Sequence, residues 1–226
     1  MFLQICLNTQ RWLFSCLFIF IAGCTYTPAY NHITVTPADV EADKLKNKNA
    51  FSAIGKAATI LSEGDLVMRT GNDFTSEMLE QLCLKNKTYS HCGIALVEHD
   101  SIFVYHALGG EWNPDEKLRR DPFDLFCNPF GNRGFGIFRF DLHKPEKQRL
   151  DSVVKEWYKK GLQFDMKFDL ATNDRLYCAE FISKAVEVAT KGRISFSTTT
   201  VKGFEYVAPD DLFLNQHATE KLRIHF

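Results

Sequence analysis

The sequence has no surplus of charge: 27 Lys and Arg stand against 28 Asp and Glu over 226 residues. A nucleic-acid partner calls for a basic face, and that balance supplies none. CxxC pairs are absent and the seven cysteines are irregularly spaced, which argues against a zinc site and against a dense disulfide framework. His32, His99, His143, His217 and His225 are scattered, so neither a metal nor a cofactor is expected. Repeats and low-complexity tracts are also missing. What remains is an ordinary globular composition, 45% hydrophobic and 24% charged, typical of a folded domain. The 20 Phe residues suit a large apolar core or an apolar binding cleft, and composition leaves both open.

The apolar run at residues 12–21 follows the single charge of Arg11 and is short for a membrane span. A positive region followed by about 7–15 apolar residues is a signal peptide. The run ends in Ile21-Ala22-Gly23-Cys24, which resembles a bacterial lipobox. That resemblance implies lipidation of Cys24 and a membrane-anchored chain in the cell envelope. Thr25, in place of Asp, favours the outer membrane, facing the periplasm. An N-terminal anchor that is never cleaved is the competing reading. The expected layout is a signal peptide over residues 1–23, a polar tether over 24–60 and a folded domain over 61–226. The tether is mixed in composition without a sustained period, apart from weak amphipathicity over residues 50–61.

Within the domain, residues 64–69 read as a turn followed by a strand. Asn72 or Asp73 can cap a helix carrying Phe74, Met78, Leu79 and Leu82 on one side. Residues 90–97 have small or apolar side chains on both faces, as in a buried strand, and residues 102–107 form the next strand after a turn at 98–101. Residues 109–134, rich in Pro, Asn and Gly, read as a long irregular segment, either a binding loop or a packed one. A strand at 136–141 precedes a helix opened by Pro145 and closed by Gly161. A short helix from Pro209 and a strand over 221–226 end the chain. The pattern is α+β, a small antiparallel sheet packed by helices.

Phe181, Ile182, Ala185, Val186 and Ala189 recur at helical spacing, with Asn173 or Asp174 as the expected cap and Gly192 as the stop. Cys178 then falls in the first turn, where free backbone N–H groups and the helix dipole favour a thiolate. A buried Cys on the packed face is the alternative. If Glu98 and Ser101 pair around a two-residue turn, then His91, Gly93, Ala95 and Val97 share one sheet face with Ile102, Val104 and His106. His91 and His106 become diagonal neighbours, roughly 7–8 Å apart at Cα, with Gly93 leaving space between them for a helix end or ligand. In this set His91 takes the Cys178 proton, His106 orients His91, and the Cys178 N–H, with Tyr177 as a weaker candidate, holds the oxyanion. Glu180 serves the helix start. Cys92, on the opposite strand face, is expected as an inert core residue, and one disulfide among Cys83, Cys92 and Cys127 stays open.

Gly64-Asp65-Leu66-Val67, Tyr89-Ser90-His91-Cys92-Gly93-Ile94, Val104-Tyr105-His106-Ala107 and Leu176-Tyr177-Cys178-Ala179-Glu180-Phe181 occur in this order. Together they resemble the permuted papain-like amidases of the NlpC superfamily, the YaeF/YiiX group, in which the catalytic His precedes the Cys. The resemblance covers about residues 60–215 and implies a permuted papain-like fold with Cys178 and His91 as the catalytic pair. The third polar position, often Glu in the family, falls on His106, as in the lecithin:retinol acyltransferase-like relatives. That departure brings lipid acyl chemistry into view. Gly161, Phe164, Asp165 and Phe168 resemble a further family block, with Asp165 read as structural.

The expected function is a cell-envelope thiol hydrolase cleaving an amide bond in a peptidoglycan peptide or an N-acylated small molecule. A thiol lipase or acyltransferase acting on lipid esters is the second reading, and a catalytically idle ligand-binding lipoprotein the third.

Overall fold

The computed structural model describes residues 36–110 and 113–226, so the leader, Cys24 and the start of the tether lie outside the described residues. The first half of the chain runs α1 (Pro37–Ala58), β1 (Leu66–Gly71), α2 (Phe74–Glu80), β2 (His91–Glu98), β3 (Ser101–His106), β4 (Arg119–Pro122) and α3 (Phe123–Phe126). The second half runs β5 (Asn132–Phe140), α4 (Lys144–Lys160), α5 (Cys178–Thr190), β6 (Thr199–Val201), β7 (Phe204–Tyr206), α6 (Pro209–Phe213) and β8 (Ala218–His225). Strands β4-β3-β2-β1-β5-β8 form one antiparallel sheet in that order, and β6 and β7 form a separate hairpin.

Strand alternation sorts the core into two layers. Leu66, Met68, Cys92, Ile94 and Phe138 pack on one face under Leu150 and Val154 of α4 and Phe181, Ile182 and Ala185 of α5. Val67, Ala95, Val104, Phe135 and Ile137 pack on the other under Ile54 and Ala57 of α1 and Phe123 and Phe126 of α3. The central strands are therefore buried on both sides, as the apolar run of β2 requires. His99 (φ 45°) and Asp100 (φ 65°) form the two-residue turn between β2 and β3, so Glu98 faces Ser101 and Val97 faces Ile102, the register expected from parity.

Three expectations are corrected. The polar tether is a helix from Pro37 onward, because Ala50, Ile54 and Ala57 make a narrow buried stripe in its last turns. The rest of α1 is largely exposed, apolar Val40, Leu45 and Phe51 included, which hid the period, and the folded unit begins at Pro37 instead of residue 61. Asp73 does cap α2, accepting the Ser76 N–H at 3.0 Å. None of that short helix is buried, however, and Phe74 and Met78 face outward. Finally, the irregular segment contains β4, whose Arg119, Arg120, Asp121 and Pro122 suit the sheet edge they occupy but offer no alternating apolar signal. Replacing Ile54, 2% exposed, by Ala is expected to cost about 2–4 kcal/mol in urea unfolding. A tether free of the sheet predicts no change.

Candidate active site

Helix α5 starts at Cys178 because Tyr177 takes the cap position, its N–H donating to Glu180 Oε2 at 3.2 Å. The expected caps, Asn173 and Asp174, lie too early. Arg175 and Leu176 are still extended there, the Leu176 N–H donating to Gln163 O at 2.9 Å, while Asn173 Oδ1 accepts Lys184 Nζ at 2.9 Å. Glu180 is fully buried with Lys184 Nζ 2.8 Å from its other oxygen, and burial pushes its carboxyl up to about 7. Gly192 closes the helix as expected, donating its N–H to Glu187 O at 2.9 Å.

The Cys178 sulfur rests at the joint between α5 and β2. Around it lie the Cys92 thiol and the backbone N–H groups of Cys92, Ala179 and Cys178 itself. The Cys92 N–H has no partner in β3 for a reason of register. Pairing between β2 and β3 begins only at Ile94 opposite Tyr105. The Ala95 N–H turns toward β1, reaching Asp65 O at 2.8 Å, so the Cys92 N–H, of opposite parity, turns toward the unpaired side. These donors, led by the Cys92 thiol, draw the Cys178 pKa down against the upward pull of burial. Burial first, and then the neighbouring Cys178, drive the Cys92 pKa well up. Alkylation of Cys178 by iodoacetamide is therefore expected to reach its plateau at a lower pH than a free thiol of pKa about 8.5. A midpoint at or above that value contradicts the lowered Cys178 pKa.

On the opposite sheet face, His91 Nε2 and His106 Nδ1 are 2.9 Å apart, and His106 Nε2 lies 3.0 Å from Asp121 Oδ2. The imidazoles are packed by Phe126, with ring centroids 5.7 Å from His91 and 4.9 Å from His106. Arg69 caps that ring, its guanidinium 4.7 Å from the centroid and donating to Phe126 O at 3.1 Å. Burial, and then the charges of Arg69, His106 and Arg119, hold the His91 pKa well below the imidazole range. Burial also lowers His106, opposed by its bond to Asp121, and that bond holds the Asp121 carboxyl low.

These partners assign the protons. A carboxylate only accepts, so His106 Nε2 carries a hydrogen. A neutral His106 then accepts at Nδ1, and His91 donates from Nε2. His91 Nδ1 is left as an unprotonated nitrogen, with no hydrogen-bond partner among the described residues. The chain Asp121–His106–His91 thus presents a neutral base.

Gly93 supports this pair in an unexpected way. A Cβ there would lie 2.4 Å from Val104 Cγ1, 2.9 Å from Tyr105 O and 3.2 Å from His106 Cβ. The space expected for a helix end or ligand is filled by β3 itself. Gly93→Ala is expected to cost about 1–3 kcal/mol and to separate the two rings, visible as altered imidazole NMR shifts for His91 and His106. Unchanged shifts would refute the close packing.

The structure brings His91 and His106 together and adds Asp121 and Arg69, which the sequence reading missed. A strand-pairing cue for Asp121 existed only in the edge composition of β4. Cys178 is placed on the Cys92 side of the sheet, one residue along β2 from His91. Among the described residues no hydrogen bond joins its sulfur to either imidazole. Tyr177 is not placed as an oxyanion donor: its N–H is spent on Glu180, and its hydroxyl accepts the Val207 N–H at 2.7 Å. Asp165 is structural, accepting the Lys167 and Asp169 N–H groups at 2.8 and 2.6 Å. Cys83, Cys92, Cys127 and Cys178 are all free thiols. Cys178 also lines a cavity of about 10 Å³, room for a single water-sized sphere. Leu79, Leu82, Phe168, Tyr206 and Pro209 complete much of its wall.

No family model matches this sequence, and no curated protein is similar to it. Among solved structures it is similar to the metalloprotein yiiX from Escherichia coli O157:H7, of the group DUF1105, at a TM-score of 0.60 and 18% identity. The match covers 73% of this chain and 98% of that one. The likeness shows a common fold, an α+β sheet packed by helices.

Proposed function

We propose that this chain is a thiol hydrolase in which Cys178 is the nucleophile, His91 the base, His106 the orienting group and Asp121 the carboxylate behind it. The observation that carries the reading is the relay of 3.0 and 2.9 Å from Asp121 through His106 to His91, on a strand against which the helix that starts at Cys178 is packed. Catalysis begins as the Cys178 sulfur swings from Cys92 toward His91 Nδ1 and gives up its proton. Catalytic hydrogen bonds of this kind commonly close only with substrate bound. The thiolate attacks a carbonyl carbon, and the C=O electron pair moves onto oxygen. The Ala179 and Cys178 N–H groups, released from the sulfur, receive that oxyanion. Collapse expels the leaving amine, which takes the proton from His91, and water then hydrolyses the thioester. His106 and Asp121 steady the imidazolium formed in between.

The substrate we favour is an amide in a peptidoglycan peptide or an N-acylated small molecule. One observation keeps the lipid reading as a second: the wall beside Cys178 is almost wholly apolar, and Phe74 and Met78 are exposed on α2. An acyl chain fits such a wall. We also propose that Cys24 is lipidated and holds the chain at the envelope, tested by fatty-acid labelling of wild type against Cys24→Ala.

The neighbour is a metalloprotein, but the donors here do not fit a resident ion. Both nitrogens of His106 and Nε2 of His91 are engaged with each other or with Asp121. Among the described residues no three His, Cys, Asp or Glu side chains gather as an ion requires.

The deciding experiment incubates wild type and Cys178→Ala with isolated sacculi and with phospholipid vesicles and identifies the released products by mass spectrometry. Peptide or amine release by wild type alone supports the amidase, and free fatty acid supports the lipase. Identical product profiles for the two proteins, with no probe labelling at Cys178, favour a binding protein.

A further inference from the structure

Capping the Phe126 ring occupies one face of the Arg69 guanidinium and leaves most of its hydrogens unspent. Arg69 stands directly opposite His91 in the pairing of β1 with β2, so the two side chains leave the same sheet face as neighbours. Phe126 packs against both, its ring centroid 4.7 Å from the guanidinium and 5.7 Å from the His91 ring. Nη1 donates to Phe126 O at 3.1 Å, a carbonyl already shared with Asn132 Nδ2 at 3.3 Å. Nε and Nη2 have no hydrogen-bond partner among the described residues, and neither is sealed in the core, so both are open to solvent.

No carboxylate accompanies this charge. Every other described arginine except Arg149 lies within ion-pair distance of an Asp or Glu. Arg149 Nε donates at 2.6 Å to Ala189 O in the last turn of α5, where helix carbonyls favour a cation. Arg69 has neither kind of partner. Asp121, the carboxylate of the relay, is held by His106 and Arg119. With both imidazoles neutral, Arg69, Arg119 and Asp121 leave one positive charge uncompensated around the base.

We propose that Arg69 is the anion-binding residue of this site, gripping with its Nε and Nη2 hydrogens a singly charged oxyanion of the substrate, a carboxylate or a phosphodiester. That the anion lies beside the bond to be cut rests on the thiol-hydrolase reading; the binding of the anion does not. A guanidinium presents these hydrogens in parallel, at the spacing of two oxygens on one carbon or phosphorus. The fold already uses that fork once: Arg139 Nε and Nη2 donate at 2.7 Å each to the two oxygens of Asp65. Packed on Phe126 and tied to its carbonyl, the Arg69 fork is preorganised, so little side-chain freedom is lost on binding. One negative charge on the ligand completes the local balance.

The test uses the full chain carrying Cys178→Ala, which cannot turn a probe over, at constant ionic strength. Imidazole NMR shifts of His91 and His106 are followed as N-acetylalanine, its neutral amide or dimethyl phosphate is added. Saturable shifts with at least one of the two anions, and none with the neutral amide, are expected. The tighter anion names the source, a peptide carboxylate or a lipid headgroup. Adding Arg69→Gln should weaken that binding at least about tenfold, the worth of a hydrogen bond to a charged group. Arg69→Lys keeps the charge without the fork; it should fall between the two, and it serves if the glutamine variant does not fold. On the substrate that the product screen identifies, Arg69→Gln in the Cys178 enzyme should raise KM at least about tenfold and change kcat less. The inference is overturned if neither anion binds, if the neutral amide binds as tightly as the anions, or if Arg69→Gln binds them undiminished. Arg69-dependent binding with no product from any substrate keeps the anion site and removes the hydrolase. Product formation with an unchanged KM in Arg69→Gln does the reverse.

Discussion

Asp121→Asn is expected to lower turnover by about 10²–10⁴-fold with little change in stability. The size follows from tautomer control. Asp121 accepts from His106 Nε2 at 3.0 Å and also from Arg119 Nη2, which lies 3.3 Å from Oδ1 and 3.2 Å from Oδ2. An asparagine has only one acceptor, and Arg119 can only donate. The amide oxygen therefore turns to Arg119 and the NH₂ to His106. His106 must then accept at Nε2 and donate from Nδ1. His91 accepts in turn at Nε2, and its proton moves to Nδ1, the nitrogen that receives the thiol proton in the proposed mechanism. The base is lost although the rings stay in place. Arg119→Gln in the Asp121→Asn background removes the bias and is expected to restore part of the rate. Turnover within threefold of wild type for Asp121→Asn, measured on whichever substrate the product screen identifies, would remove Asp121 from the relay.

Arg139→Met is expected to destabilise the fold by about 3–5 kcal/mol, since breaking a buried ion pair strands the remaining charge. Asp65 is fully buried and accepts Arg139 Nε and Nη2 at 2.7 Å each, with the Ser62 N–H at 2.8 Å as its other partner. Without the guanidinium one backbone donor is left for a desolvated carboxylate. The consequence reaches the site through the backbone. Asp65 O accepts the Ala95 N–H at 2.8 Å, and Ala95 O accepts the Gly64 N–H at 2.9 Å, which pins the register of β2 against β1. Urea unfolding measures the loss, and a difference below about 1 kcal/mol would mean the pair is solvated as surface pairs are.

The His91–His106 pair was legible because a two-residue hairpin and a period of two are local properties. Once Glu98 faces Ser101, every later pairing follows by counting. The helix start at Cys178 was legible for the same reason, from spacing within one element, though its cap was misplaced by several residues. Asp121 was not: β4 has no apolar alternation and forms only because β3 leaves an edge to pair with. Helix α1 was not legible either, since three buried residues stand among exposed ones that include apolar Val40, Leu45 and Phe51, and the periodic signal is lost.

Cys92 shows where the boundary lies. Parity placed it correctly on the face opposite His91, and burial there made it a core residue. Parity cannot say what packs over that face. The start of α5 docks there, so Cys178 joins the core that holds Cys92, and the imidazole of His91 lies on the other face. The sequence by itself determined the elements that carry the three side chains and the face each takes, because turns, caps and alternation act over a few residues. Only the tertiary structure decided which groups touch, the Asp121 link among them, because those contacts are set by how helices and edge strands dock across the sheet.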